Sequence, residues 1–268
     1  MLDTYENYIG KIIEKERTRR GLSVNDVCNG ICSAAACSKL ESGEYAGGIH
    51  ILRALCQRLG INSDRCGTYL PQAEYDEMMD RLYILEYIKD GKIDRAEERL
   101  ACYEKTYKKN PLNSQFVLFM RGRLAELKLN NTKAFEYYEN AVQQTMPWYA
   151  DRQNISCLTI YEAYMILGVA RIKAKLHYET AAYNLYRLLL NYCTNSNIEN
   201  WILVCIYPKA ICEMIDIIGI DKMGIMEVKD MLVHCENALN VLIDTSRLHY
   251  IRPILRNIIS FKSRLGNN

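Results

Sequence analysis

Residues 10–61 read GKIIEKERTRRGLSVNDVCNGICSAAACSKLESGEYAGGIHILRALCQRLGI, and the punctuation of this stretch decides the fold. An amphipathic run with apolar Ile9, Ile12 and Ile13 becomes basic at its end (Lys15, Arg17, Arg19, Arg20), and Gly21-Leu22-Ser23 breaks it. Ser23 can cap a short second helix from Val24 to Gly30 by accepting a hydrogen bond from a free backbone N–H. Ser33 stands where a third helix begins, Ala34 to Leu40 carry it, and Glu41-Ser42-Gly43 supply the stop. Three short helices with serine caps ten residues apart form a specific pattern.

The order RxxRGLS, LESGE, LRALCQRLGI resembles the lambda-repressor-like (XRE-type) helix-turn-helix domain over roughly residues 5–65. The resemblance implies that the third helix lies in the major groove of double-stranded DNA while the second crosses the backbone above it. It also implies a structural ion pair between Arg17 on the first helix and Glu41 at the end of the third. The base-reading positions depart from the family, which favours Gln, Arg, Asn or Ser there; Val24, Ala34, Ala35 and Lys39 stand in their place. Alanine offers only close approach or contact with a thymine methyl, so Lys39 is the side chain on that face able to reach a guanine edge or a phosphate. Ser33, Ser38 and the N–H groups at the helix start suit phosphates. Arg19 and Arg20 complete the expected DNA-contacting set. Two readings stand: a binder of modest specificity that relies on dimerisation and DNA shape, or a domain that no longer reads DNA.

The chain has 268 residues, too many for one such domain, and about 200 remain for a second unit with its own core. Hydrophobic residues make up 49%, with only five prolines, which excludes a largely disordered chain. Net charge is +2, and residues 1–65 hold nine Lys and Arg against eight Asp and Glu, so only the cluster Lys15–Arg20 suggests phosphate contact; its bland reading is a solvated helix face. Eleven cysteines form no regular framework and follow no signal peptide, and the C-x₃-C-x₄-C run of Cys28, Cys32 and Cys37 has no nearby histidine. They read as small buried hydrophobes in a reducing cytoplasm, with a thiol switch as the sharper alternative. No apolar run of membrane-spanning length occurs.

Residues 67–75 lose helical periodicity and read as a linker. Beyond it, residues 76–268 read as helix pairs repeating every 34 to 40 residues or so. The expected pairs are Tyr75–Asp90 with Ile93–Lys109, closed by Pro111, then a pair ending at Pro147, then Cys157–Lys175 with Tyr178–Tyr192, then Trp201–Ile218 with Glu227–Asp244. Arg247–Leu265 reads as a capping helix that hides the apolar end of the array. Tyr87, Gly91, Ala96 and Leu100, and then Gly122, Ala125, Ala134, Tyr138 and Ala141, fall where tetratricopeptide (TPR) repeats place aromatic, small and large residues. Ala96 to Ala134 is 38 residues. Small residues recur there because paired helices approach closely only where no bulk intervenes. The fold class is thus all-α: an N-terminal helix-turn-helix domain over 1–66, followed by a TPR-like right-handed helical solenoid. On the TPR pattern the first helix of each pair faces the concave side, which places Phe119, Arg123, Glu126, Glu162, Met165, Val169, Lys173 and Tyr207 in a groove suited to an extended peptide. Packing of repeat on repeat is the bland reading for the apolar members.

This combination resembles the RRNPP group of peptide-sensing bacterial regulators, of the Rgg and PlcR type. The resemblance implies a cytoplasmic transcription regulator, a homodimer on DNA whose repeats bind a short signalling peptide. The alternative is a protein–protein adaptor whose helix-turn-helix no longer reads bases. Catalysis finds little support: His50, His177, His234 and His249 are far apart, with no HExxH and no phosphate-binding glycine loop. No cofactor and no metal are expected.

Overall fold

The computed structural model describes residues 3–61, 71–107, 109–147, 149, 155–195 and 200–266, and all its regular structure is helical. The chain divides into two compact units, Met1–Arg152 with Cys157–Met165, and Gln153–Ser156 with Ile166–Asn268. Of the linker expected at 67–75, residues 67–70 lie outside the described residues, and a helix already begins at Gln72.

In the first unit, α1 (Asp3–Arg19), α2 (Val24–Cys28), α3 (Ala34–Ser42) and α4 (Ile49–Arg58) form the N-terminal domain. Local chemistry sets their ends. Ser23 and Asp26 make a reciprocal capping box on α2, the Ser33 hydroxyl accepts from the Ala36 N–H at 3.2 Å, and Gly43 closes α3 in the left-handed conformation (φ 81°). The core beneath is Ile9, Ile13, Val27, Ile31, Leu40, Leu52, Leu55 and Leu59, joined by Cys28, Cys37 and Cys56 as small buried hydrophobes. Gly10 lets α1 and α3 touch: a Cβ there would stand 1.9 Å from the Leu40 carbonyl oxygen.

Two helix pairs follow, α5 (Gln72–Lys89) with α6 (Ile93–Thr106), and α7 (Pro111–Leu127) with α8 (Asn131–Thr145). Pro111, expected to close the first pair, instead opens α7 behind the Asn110 cap, where its missing N–H costs nothing and its fixed φ suits the first turn. Gly122 admits the Tyr138 ring, which a Cβ would meet at 2.6 Å. Helix α9 (Ile160–Lys175) begins in this unit. The second unit continues with α10 (Glu179–Asn195), α11 (Asn200–Ile218), a 3₁₀ turn over Ile220–Lys222, α12 (Ile225–Asp244) and α13 (Ile251–Gly266). As a cap, α13 covers less than expected: Ile254, Ile258 and Phe261 are buried, whereas Leu248 just before it and Leu255 and Ile259 on its outer face are exposed.

The sequence holds twenty tyrosines against four phenylalanines, and the pairing of helices explains part of the bias. Tyr103 donates to Glu77 at 2.7 Å, Tyr138 to Glu126 at 2.9 Å and, in the second unit, Tyr186 to Glu213 at 3.0 Å. Each ring is buried in the helix contact and each hydroxyl finds a carboxylate on a neighbouring helix. Phenylalanine would fill the same space and leave that carboxylate short of a donor.

Gly10→Ala is expected to lower stability by about 1–3 kcal/mol, because the added methyl meets backbone. Gly266→Ala, where nothing lies within 4 Å, should stay within about 0.5 kcal/mol of the parent. Urea unfolding of both variants checks this.

Candidate functional site

The outer face of α2, its turn and α3 carries the residues expected to meet DNA. Ser33, Ala34, Ala35, Ser38 and Lys39 are all exposed, one turn after another along α3. At the start of α3, Ser33 holds one N–H group of the first turn, that of Ala36. Arg17 lies behind this surface: its Nε and Nη2 donate to the two Glu41 oxygens at 2.7 and 2.8 Å, and its Nη1 donates to the Leu22 carbonyl at 2.9 Å. It therefore fixes α1 to both the turn that precedes α2 and the end of α3. Arg19 and Arg20 are set back at the end of α1, and both are drawn to one carboxylate, Glu16, at 2.6 and 2.8 Å. Hydrogen bonds from Arg19, then Arg20, overcome partial burial and hold the Glu16 carboxyl down to about 2. The basic cluster thus presents less net charge than its sequence suggests.

The groove expected from Phe119, Arg123, Glu126, Glu162, Met165, Val169, Lys173 and Tyr207 requires correction. Phe119, Glu162, Met165, Val169 and Tyr207 are buried. Phe119 packs its ring 5.8 Å from that of Tyr138 and 6.0 Å from that of Tyr161, and Tyr207 bonds His234 Nδ1 at 2.7 Å. Glu126 is the acceptor for Tyr138, leaving Arg123 and Lys173 as half-buried polar positions on α7 and α9. Helices stand where the TPR spacing puts them, but close packing consumes the apolar faces that the spacing assigns to a ligand. A cavity of about 550 Å³ opens elsewhere, between α6, α7 and α8, lined by Arg121, Lys128, Lys133, Glu97 and Tyr137. Lys128 there pairs with Glu97 at 2.5 Å, and Arg121 with Glu104 at 2.6 Å.

Glu162 has a different role, as the floor of the N-terminal domain. Its two oxygens accept from Arg58 Nη2 at 2.6 Å and Nε at 3.3 Å, from the Thr145 hydroxyl at 2.6 Å and from the Thr159 N–H at 2.7 Å. Arg58, only 1% exposed, spends its remaining N–H groups on the carbonyls of Val27 (2.9 Å), Asn29 (2.7 Å) and Thr145 (3.4 Å). The guanidinium's five donors and the carboxylate's four acceptor positions are thus all engaged. Burial raises the Glu162 pKa, but the Arg58 charge and these donors outweigh it and hold the carboxyl below its ordinary range. Neighbouring bonds join the same elements: the Ile160 N–H donates to Gln57 Oε1 at 3.2 Å, and the Cys157 thiol to the Asp26 carbonyl at 3.2 Å. Gly30, in the turn between α2 and α3 with φ +73°, lies so close to Thr145 that a Cβ would stand 2.4 Å from its Cα. At the other end of α4, Glu74 accepts from the first free N–H of that helix, at Ile49, at 3.0 Å. The sequence does carry a signal for Glu162: Thr159-Ile160-Tyr161-Glu162 is a capping box at the start of α9, and the Glu162 N–H returns a bond to the Thr159 hydroxyl at 3.1 Å.

Among the described residues no group of histidine, cysteine and carboxylate side chains is placed to hold a metal, and no helix is long and apolar enough to cross a membrane.

No protein-family model and no curated protein sequence matches the chain. Among solved structures, the Bacillus thuringiensis protein PlcR, captured with the peptide PapR7 and DNA, is similar at a TM-score of 0.54 and 16% identity, over 97% of this chain and 88% of that one. The pheromone receptor Rgg2 of Streptococcus dysgalactiae aligns over 92% of this chain and 99% of its own at 9% identity, with a TM-score of 0.35. The first comparison establishes the fold: an all-α chain with an N-terminal helix-turn-helix domain followed by helical repeats, as in PlcR.

Arg58→Met alone is expected to cost about 3–5 kcal/mol, because it strands a buried carboxylate, and the double variant Arg58→Met/Glu162→Leu should cost much less than the two single changes together. The pair also has a pH signature. A folded pKa below the unfolded value of about 4.3 means that its stabilisation is complete above that value and is lost as pH falls through the folded pKa. The stability gap between the parent and Glu162→Gln should therefore be widest near neutrality and close on acidification, as read by denaturant midpoints at several pH values.

Proposed function

We propose that this chain is a DNA-binding transcription regulator of the RRNPP type, acting as a cytoplasmic homodimer whose repeats bind a short signalling peptide. The observation that carries the reading is the exposed face of α3, Ser33, Ala34, Ala35, Ser38 and Lys39, held at fixed height by the Arg17–Glu41 pair in a chain with the fold of PlcR. PlcR was captured with both a peptide and DNA, the two ligands proposed for this chain.

The contact chemistry follows from the residues. Ser33, Ser38 and the N–H groups at the start of α3 take phosphates, Lys39 takes a guanine edge or a phosphate, and the alanines let the helix approach thymine methyls. With so few base-reading side chains, specificity comes largely from paired half-sites and DNA deformability. Peptide control is a population shift: the peptide changes DNA affinity only as far as it favours one arrangement of the repeats over another. A coupling of about 1–3 kcal/mol corresponds to roughly 5- to 150-fold in affinity. Arg123 and Lys173 remain as proposed peptide contacts, and the cavity between α6, α7 and α8 offers Arg121, Lys128 and Lys133 to carboxylates. No catalytic step is involved.

The adaptor reading draws on one observation, that Glu16 engages both Arg19 and Arg20 beside an alanine-rich α3. Selecting bound fragments from genomic DNA with the purified protein, at two salt concentrations, separates the two. A regulator enriches a paired half-site, with centres about one helical turn or a multiple apart, and loses affinity steeply in salt. Lys39→Ala should then weaken binding and reduce the salt slope by about one. A folded protein that enriches no sequence, with or without peptides from the source culture, favours the adaptor. A target whose affinity and salt slope survive Lys39→Ala places the contact surface elsewhere.

A further inference from the structure

Arg121 and Arg123 are two residues apart on α7, which turns them about 200° from one another around the helix. Arg121 faces the cleft between the first helix pair and the second, so Arg123 lies on the other side of α7. Two cavities follow one another along this cleft and share Arg121. One is the cavity of about 550 Å³ beside the end of α7 and the start of α8, and the other, of about 280 Å³, lies beside the start of α7 and the end of α6. From Ser114 to Lys128 the cleft follows α7 for about 21 Å, at about 1.5 Å per residue. An extended chain covers that length with about six residues.

The lining is basic above an apolar floor. Four cations, Lys109, Arg121, Lys128 and Lys133, stand against two carboxylates, Glu97 and Glu104. Lys109 and Lys133 are exposed, and neither has an ion pair among the described residues. Arg121 and Lys128 are paired with Glu104 and Glu97, but these pairs are open to water, where exchanging one carboxylate for another costs little. Beneath them the buried Leu100, Val117 and Leu124 offer apolar surface. Ser114 brings a hydroxyl to the smaller cavity and Tyr137 to the larger, each suited to a ligand's backbone groups.

The ends of the cleft select the kind of chain. Lys109 stands at one end, and Lys128 and Lys133 at the other. A free short peptide carries an ammonium at its N-terminus, and that charge would meet a lysine whichever way the peptide lay. A segment inside a longer chain carries no such charge. We propose that this cleft is a docking groove for an extended, acidic internal segment of a second protein, about six residues long, in which aliphatic side chains alternate with carboxylates. The aliphatic side chains rest on the floor, and the carboxylates meet the four cations. The site is separate from Arg123 and Lys173, the positions proposed for the signalling peptide, and its occupancy can be measured with no DNA present.

The test uses the full-length protein and a fluorescent hexapeptide of alternating glutamate and leucine, blocked at both ends, with binding read by anisotropy at two salt concentrations. The expected result is saturable binding that weakens in salt, at least tenfold tighter than that of the same peptide with lysine for glutamate, and weaker when the N-terminus is left free. The double variant Lys109→Glu/Lys133→Glu, at two exposed positions, should reverse the preference between the acidic and the basic peptide, whereas Arg123→Ala should change neither affinity. Circular dichroism confirms that the variants remain helical. Equal binding of the two peptides, no saturable binding of the acidic one, or a preference that survives the double charge reversal would each overturn the proposal. Acidic-peptide binding lost in Arg123→Ala and kept in the double variant would also overturn it, and would leave the regulatory reading standing.

Discussion

A fully buried guanidinium and a fully buried carboxylate are tolerable in a protein only when nearly every donor and acceptor between them is used, and the contact of Arg58 with Glu162 meets that condition. The bonds of Arg58 to Val27 and Asn29 hold the end of α2, that to Thr145 holds the end of α8, and the pair with Glu162 holds the start of α9. Three elements far apart in sequence are thereby tied to the last turn of α4. An apolar contact would tolerate sliding by a fraction of a residue. This one does not, because a small shift leaves a charge without its partners. The height at which α2 and α3 stand above the repeats is therefore set by directional bonds.

How much of this was legible in the sequence depends on the range of the interaction. The caps at Ser23 and Ser33 and the stop at Gly43 were readable because each is settled within four residues of backbone. The Arg17–Glu41 geometry became readable once three helices in that order were recognised. The helix pairs of the repeats followed from the spacing of Gly122, Ala134 and Tyr138, since a small residue facing a ring is a local requirement of close packing. Pro111 misled because proline both ends and begins helices, and only the Asn110 cap behind it decides which.

The ligand-facing set was not legible, for a physical reason. Periodicity says which residues share a helix face, but not whether that face meets solvent or another helix. Phe119, Val169 and Tyr207 have the spacing of groove residues and the burial of core residues. Glu162 was legible only in part: its capping box with Thr159 is local, but its charged partner lies 104 residues away. The tyrosines show the same limit in reverse. Their abundance was obvious, but the pairing of Tyr103, Tyr138 and Tyr186 with carboxylates on other helices emerges only when the helices are placed side by side.

The Gly30 contact bears on how such a chain can be rearranged. A helix-turn-helix domain is commonly thought of as a detachable head that can be grafted onto another body. Here the turn between its two central helices has no room for a side chain, because the end of α8 occupies that space. Cutting the chain after Ile61 would uncover that backbone and leave Arg58 without its counter-charge. The head, the first two helix pairs and the start of α9 are therefore one inheritable piece, and the expected linker is a poor breakpoint for exchange between relatives.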